Sequence, residues 1–181
     1  MKPIVIVPNT VLSTPAKRIT VFDKKVQSLL ADMKATLLST KNPKGVGLAA
    51  PQIGEPYCAF LTKPNEKSQI RVFINPEIMK RSDEETDGIP ERENKLEGCL
   101  SIPKIWGKVK RARTLKLRYQ NEKGEKHEEE FEGFLATIIQ HETDHINGIL
   151  FTQRVLEQES KLYQTTKDND GKDVLEEVSL P

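Results

Sequence analysis

Cysteine is scarce in this chain: Cys58 and Cys99 are the only two in 181 residues. Two thiols cannot lace a small secreted fold together. With no export signal ahead of them, they read as free thiols in a reducing, cytoplasmic setting. Long apolar runs are missing too. Ile4-Val5-Ile6-Val7 is too short for the core of a signal peptide, and no stretch approaches a membrane span. Neither sign of charge dominates, since 28 Lys and Arg against 27 Asp and Glu leave a net charge of +1. Bulk electrostatics therefore select no nucleic acid or lipid surface. What is present, 36% hydrophobic and 30% charged residues, suits one soluble domain with a sizeable core.

The informative stretch is residues 132–148. On a helix of about 100° per residue, Phe134, Leu135, Ile138, Ile139, Ile146 and Ile149 share one broad arc, with Gln140, Thr143, Asp144 and Asn147 opposite. His141, Glu142 and His145 fall within the apolar arc. Three ionisable groups facing a core are costly unless something pairs with them, and a divalent cation suits two imidazoles one turn apart. His-Glu-x-x-His is the zinc-hydrolase spacing, in which both histidines ligate and the Glu is free to act as base on water. The bland alternative is a buried helix whose histidines bond to carbonyls. Gly148 supplies a C-terminal stop.

Earlier in the chain, residues 3–19 are punctuated by proline and read as extended. Thr20 then reads as an N-cap for an amphipathic helix carrying Phe22, Val26, Leu29, Leu30, Met33 and Leu37 to about Ser39. Lys41-Asn42-Pro43-Lys44 breaks it. The run Gly45-Val46-Gly47-Leu48-Ala49-Ala50-Pro51-Gln52 leaves little side-chain bulk, so a backbone or ligand can approach closely. No Lys-Ser/Thr follows, which sets aside a phosphate loop. Short β-prone runs cover 57–61, 70–74, 77–80, 105–109 and 114–119. Asn121-Glu122-Lys123-Gly124 turns the last of these into 127–131 as a hairpin. Acidic residues 83–95 read as a mobile loop, and Cys58 as a small buried hydrophobe.

Two histidines leave a catalytic metal short of a third protein ligand. No histidine follows His145 at metzincin spacing, and Glu157 and Glu159 lie in a polar surface segment. Cys99, preceded by Gly98, is preferred because soft sulfur with imidazole suits a first-row divalent metal.

Three segments, Gly45-Val46-Gly47-Leu48-Ala49-Ala50-Pro51-Gln52, Glu97-Gly98-Cys99-Leu100-Ser101 and His141-Glu142-Thr143-Asp144-His145, occur in the order of the signature motifs of peptide deformylase. The resemblance spans roughly residues 3–155 and implies an α+β fold, with antiparallel sheets packed around a central metal-binding helix and an amphipathic helix near the N-terminus. Residues 1–155 would form the catalytic domain and 156–181 a C-terminal extension, partly helical or flexible. By the same resemblance, Cys99, His141 and His145 bind Fe2+, with Zn2+, Ni2+ or Co2+ as substitutes. Glu142 is the acid–base, and Gln52 and the Leu100 N–H stabilise the formyl oxygen. The substrate implied is the N-formylmethionyl end of nascent chains, releasing formate. Phe134, Thr137 and Ile138, with Val46, would wall the methionine pocket. Glu97 and Gly98 would offer backbone to an extended peptide, and Gly45, Gly47 and Gly98 would keep the site narrow.

A basic stretch, Lys104, Lys108, Lys110, Arg111, Arg113, Lys116 and Arg118, invites a transient ribosome contact. Strand alternation spreads those charges over both faces, so no specific nucleic-acid binding is expected. Two other classes compete: a zincin-like endopeptidase with a Glu or His as third ligand, and a structural metal module with all four positions filled by protein. Cys99→Ser separates them. A deformylase loses metal or activity, whereas an endopeptidase of that kind keeps both, as metal analysis and an activity assay on the same sample will show.

Overall fold

The computed structural model describes residues 1–178. Its order is α1 (Lys24–Ser39), β1 (Gly47–Ala49), β2 (Ala59–Thr62), β3 (Arg71–Arg81), β4 (Glu85–Asp87), β5 (Glu97–Cys99), β6 (Ile102–Gly107), β7 (Lys110–Ala112), β8 (Thr114–Gln120) and β9 (Lys126–Glu132). Then come α2 (Gly133–Ile146), α3 (Phe151–Glu157), β10 (Leu162–Lys167) and β11 (Asp173–Glu177). The fold is α+β, and every pairing between its named strands is antiparallel. One sheet runs β1-β2-β3-β8-β9, a second β11-β10-β6-β5, and β4 pairs with β7.

Alternation along β2 explains how the core is divided. Ala59 and Leu61 point to one face and pack with Leu30, Met33 and Leu37 of α1, while Phe60 points to the other and packs with Ala136 and Ile139 of α2. The sheet is thus sandwiched between two helices at its β1–β2 end. A third cluster, with Phe151, Val155 and Leu162, seats the second sheet on α3 and brings Cys99 inside. No helix among the described residues is long and apolar enough to cross a membrane.

Several local expectations change. The cap of α1 is Asp23, whose carboxylate accepts from the N–H groups of Lys25 and Val26; Thr20 lies too far upstream. Residues 10–13 form a short 3-10 turn within the segment expected to be extended. The runs 70–74 and 77–80 are one strand, because Asn75 adopts φ 49° and the register shifts there, so Asn75-Pro76 makes a bulge instead of a break. Residues 83–95 include β4 and bury Ile89. Beyond α3 the chain forms the β10–β11 hairpin: Leu162 and Tyr163 begin a strand because β6 offers them a partner, with Leu162 opposite Gly107. Gly148, at φ 73°, does end α2, and the backbone of Ser13 and Thr14 packs so closely that a Cβ there has no room.

The side of α2 expected to be polar is buried as well. Gln140, Thr143 and Asp144 are each less than a tenth exposed, and Gln140 exchanges two hydrogen bonds with the Ala112 backbone. Enclosure on all sides makes α2 the axis of the molecule.

Asn75 tests the bulge. Its Oδ1 accepts from Ile19 N at 2.8 Å, and its Nδ2 donates to Ile19 O at 2.7 Å and Gln120 Oε1 at 2.8 Å. Asn75→Ala removes all three bonds and places a methyl at positive φ, so it should cost about 2–4 kcal/mol in urea unfolding.

Candidate metal centre

Cys99 ends β5, and His141 and His145 sit one turn apart on α2. Their ligand atoms all lie within 4.8 Å of one another. Cys99 Sγ is 3.2 Å from His145 Nε2, and the two imidazoles meet at 77° with centroids 4.9 Å apart. Glu157 and Glu159 stay exposed on and beyond α3 and do not join them. One thiol and two imidazoles converging on a point are a donor set for a first-row divalent metal, with a coordination position left for solvent.

Glu97 decides how His141 is presented. Its Oε1 is 2.6 Å from His141 Nδ1, which directs Nε2 toward the sulfur side, the carboxylate–histidine pairing that supports metal ligands. Sequence reasoning assigns Glu97 a backbone contact only; in the structure its side chain is 4% exposed and fully engaged. Arg111 holds it with two bonds, Nε to Oε2 at 2.9 Å and Nη2 to Oε1 at 2.6 Å, and reaches Asp144 Oδ2 with Nη1 at 2.8 Å. Arg154 closes the network on Asp144 Oδ1 at 2.8 Å. Burial works against ionisation of Glu97, but Arg111 and His141 outweigh it and hold the carboxyl well below its usual range. Burial likewise opposes a charge on His141, yet Glu97 prevails and makes that ring unusually basic. A basic Nε2 facing the sulfur is what a cation exploits in place of a proton. His145, depressed by burial and by its neighbour His141, is neutral and ready to ligate.

Glu142 is 3% exposed, and its Oε2 has no protein hydrogen-bond partner among the described residues. Burial pushes its pKa up to about 7. Gly47 of β1 makes this placement possible, since a Cβ on it would overlap the Glu142 carboxylate and press on Ile138. Gln52 is oriented by its own loop: Oε1 accepts from Ala49 N at 2.8 Å, which turns the amide nitrogen toward Cys99 Sγ at 3.5 Å and Ser101 Oγ at 3.3 Å. Ser101 N also approaches the sulfur, at 3.4 Å.

A cleft of about 590 Å³, counting its mouth, opens above these groups. Gly45, Val46, Gly47, Gln52, Gly98 and Leu100 line it from the two glycine-containing segments, and Phe134, Thr137 and Ile138 from α2. The predicted site residues thus come together, with His145 just beneath the cleft floor. Ile89, Arg92 and Trp106 line it as well, and sequence reasoning misses them. Ile89 and Arg92 sit in the acidic segment, where only their contrast with neighbouring charges hints at a role. The basic stretch divides. Arg111 turns inward, while Lys108 pairs with Asp87, Arg113 with Glu84, and Lys116 and Arg118 with Glu128.

Activating water beside a carbonyl is what such a centre can do, and in this α+β frame it fits the class of metal-dependent hydrolases. The comparisons narrow it. The sequence profile of polypeptide deformylase matches residues 1–161. Peptide deformylase 1 of Bacillus subtilis is 43% identical over 155 residues, 86% of this chain and 90% of the relative. The crystal structure of peptide deformylase from Thermotoga maritima superimposes with a TM-score of 0.75 at 36% identity, covering 85% of this chain and 97% of that one. A Met-Ala-Ser-bound class I type b peptide deformylase from Acinetobacter baumannii gives 0.75 at 34%, covering 85% and 98%. The chain belongs to the polypeptide deformylase family.

The Glu97–Arg111 pair yields a test. Arg111→Met leaves the buried Glu97 carboxylate with His141 as its one remaining partner and should cost about 3–5 kcal/mol in urea unfolding. Because the folded Glu97 pKa lies below its ordinary 4.5, the stability it contributes is present above that pH and fades as pH falls below it. The gap between the two proteins should therefore narrow as pH falls from about 4.5 to 3 and still be open at pH 3, because the folded pKa lies lower still.

Proposed function

We propose that the chain removes the N-formyl group from the initiator N-formylmethionine of new polypeptides, with formate as the other product, and that the centre described above performs the reaction. The observation that supports this most is the buried, unpartnered Glu142 carboxylate beside a sulfur and two imidazoles. Cys99, His141 and His145 hold one ferrous ion, for which zinc, nickel or cobalt can stand in because the donor set does not discriminate sharply among them. When bound, such an ion lowers the pKa of water toward neutrality and polarises a carbonyl oxygen.

Glu142 accepts the proton of the attacking water and, once protonated, returns it to the departing amine. Burial, which raises the pKa of this carboxyl, favours its holding the proton between the two transfers. Gln52 Nε2 and the Leu100 backbone N–H donate to the formyl oxygen as negative charge builds on it. Gly45, Gly47 and Gly98 leave room for a formyl group and little more. Val46, Phe134, Thr137 and Ile138 receive the methionine side chain, and Ile89 completes that wall. The backbones of Glu97 and Gly98, on the free edge of β5, pair with the peptide beyond methionine, so main-chain atoms are read and varied sequences accepted. Met-Ala-Ser, held by the Acinetobacter relative, has the chemistry of a deformylated product.

The catalytic unit is residues 1–155, with 156–181 as an addition to it. Its substrates appear where ribosomes work, and the setting we propose for it is the cytoplasm. Any ribosome contact through the basic stretch is transient, because acids offset most of that charge.

The test is formate release from formyl-Met-Ala under anaerobic conditions, with metal analysis of the same sample. Turnover should rise in proportion to bound iron, and metal-loaded protein that releases no formate would overturn the reading. Glu142→Gln should lower kcat by about 10²–10⁴ while leaving metal content unchanged.

A further inference from the structure

Trp106 is the single tryptophan of the chain, and its ring stands in the wall of the cleft. It lies on Gly98, where an added Cβ would come within 2.6 Å of ring atoms Cε3 and Cζ3. The Arg92 guanidinium lies 5.9 Å from the indole centroid and is itself tied to Leu96 O at 2.9 Å. The remaining handle on the ring is its N–H, which donates to Thr165 Oγ1 at 2.8 Å. Thr165 belongs to β10 and lies beyond the residues that match the family profile. In the sheet, β6 has Gly98 opposite Trp106 on one side and Tyr163 opposite it on the other. Thr165 therefore reaches the indole diagonally from the neighbouring strand, at the usual distance for cross-strand pairs.

We infer that Thr165 is a positioning residue for peptide binding: by accepting the indole N–H it holds Trp106 against Gly98, and through it the C-terminal hairpin sets the width of the cleft along the β5 edge. This rests on the reading that the β5 edge receives the substrate backbone. Without its acceptor the half-buried N–H turns toward water, and the ring leaves the position that shapes the cleft. Among the described residues neither Trp106 nor Thr165 is hydrogen-bonded to Cys99, His141 or His145, so the effect falls on binding.

The experiment uses the metal-loaded enzyme with formyl-Met-Ala-Ser. Thr165→Val keeps the shape and removes the acceptor. It should raise KM about threefold to tenfold, with kcat within about twofold and unchanged metal content. Thr165→Ser restores the acceptor and should return KM to that of the parent. Tryptophan emission reports Trp106 alone, so it should shift in Thr165→Val and recover in Thr165→Ser. In a Trp106→Phe background, which lacks the N–H, Thr165→Val should change nothing further. An unmoved KM in Thr165→Val, a fall in kcat together with metal loss, or a Thr165→Val effect that persists in the Trp106→Phe background would overturn the inference. If the parent enzyme itself releases no formate, it is the deformylase reading that fails.

Discussion

The buried carboxylate of Glu97 is the constraint from which the rest of the centre follows. Taking that charge out of water costs several kcal/mol, and only a partner with matched geometry offsets it. Arg111 meets both oxygens, and His141 shares one of them. Because Arg111 also grips Asp144, one turn of α2 is tied to β5 and β7 by charge as well as by packing. The distance between Cys99 and the two histidines is thereby set by three elements that cannot shift independently. Burial raises the Glu142 pKa in the same centre, and the shared Glu97 carboxylate makes His141 more basic than a free imidazole.

Smallness on β1 complements charge on β5. Gly47 lets the Glu142 carboxylate stand against the backbone of another strand, and Ala49 lends its N–H to orient Gln52. The glycine-containing run therefore places two functional side chains, one from a helix far along the sequence and one from within the run itself. Bulk at Gly47 would meet the Glu142 carboxylate before anything else, and so displace chemistry first.

The parts legible in the sequence were those fixed by local spacing. His141, Glu142 and His145 declare themselves because a helix turns one ligand over another at i and i+4, and Cys99 follows from the missing third ligand. Arg111 does not declare itself. It stands in a run of seven basic residues, and what distinguishes it is a partner 33 positions away on α2. Trp106, Ile89 and Arg92 are hidden for the same reason, since strand register and loop path, which no local pattern encodes, bring them to the cleft. Asn75-Pro76 misleads in the opposite sense. The dipeptide has the composition of a break, yet Asn75 tolerates positive φ and bonds Ile19 across the sheet, so the strand continues. The C-terminal hairpin has weak periodicity and takes its form from β6.

The cleft is bounded by two free strand edges, β1 and β5, each three residues long and drawn from a different sheet. A free edge invites pairing with any extended chain, and proteins usually blunt it with charge or cover. Here shortness is the safeguard: three residues offer too few main-chain bonds to capture a partner by themselves. On the function proposed above, a peptide gains enough only when its first residue also fills the space beside Ile138 and its terminal group reaches Glu142. Weak, sequence-blind pairing with a demanding end group is the combination an enzyme needs if it must process many chains at one position and release each of them. A longer edge would hold the product, and a wider pocket mouth would admit interior segments of a chain.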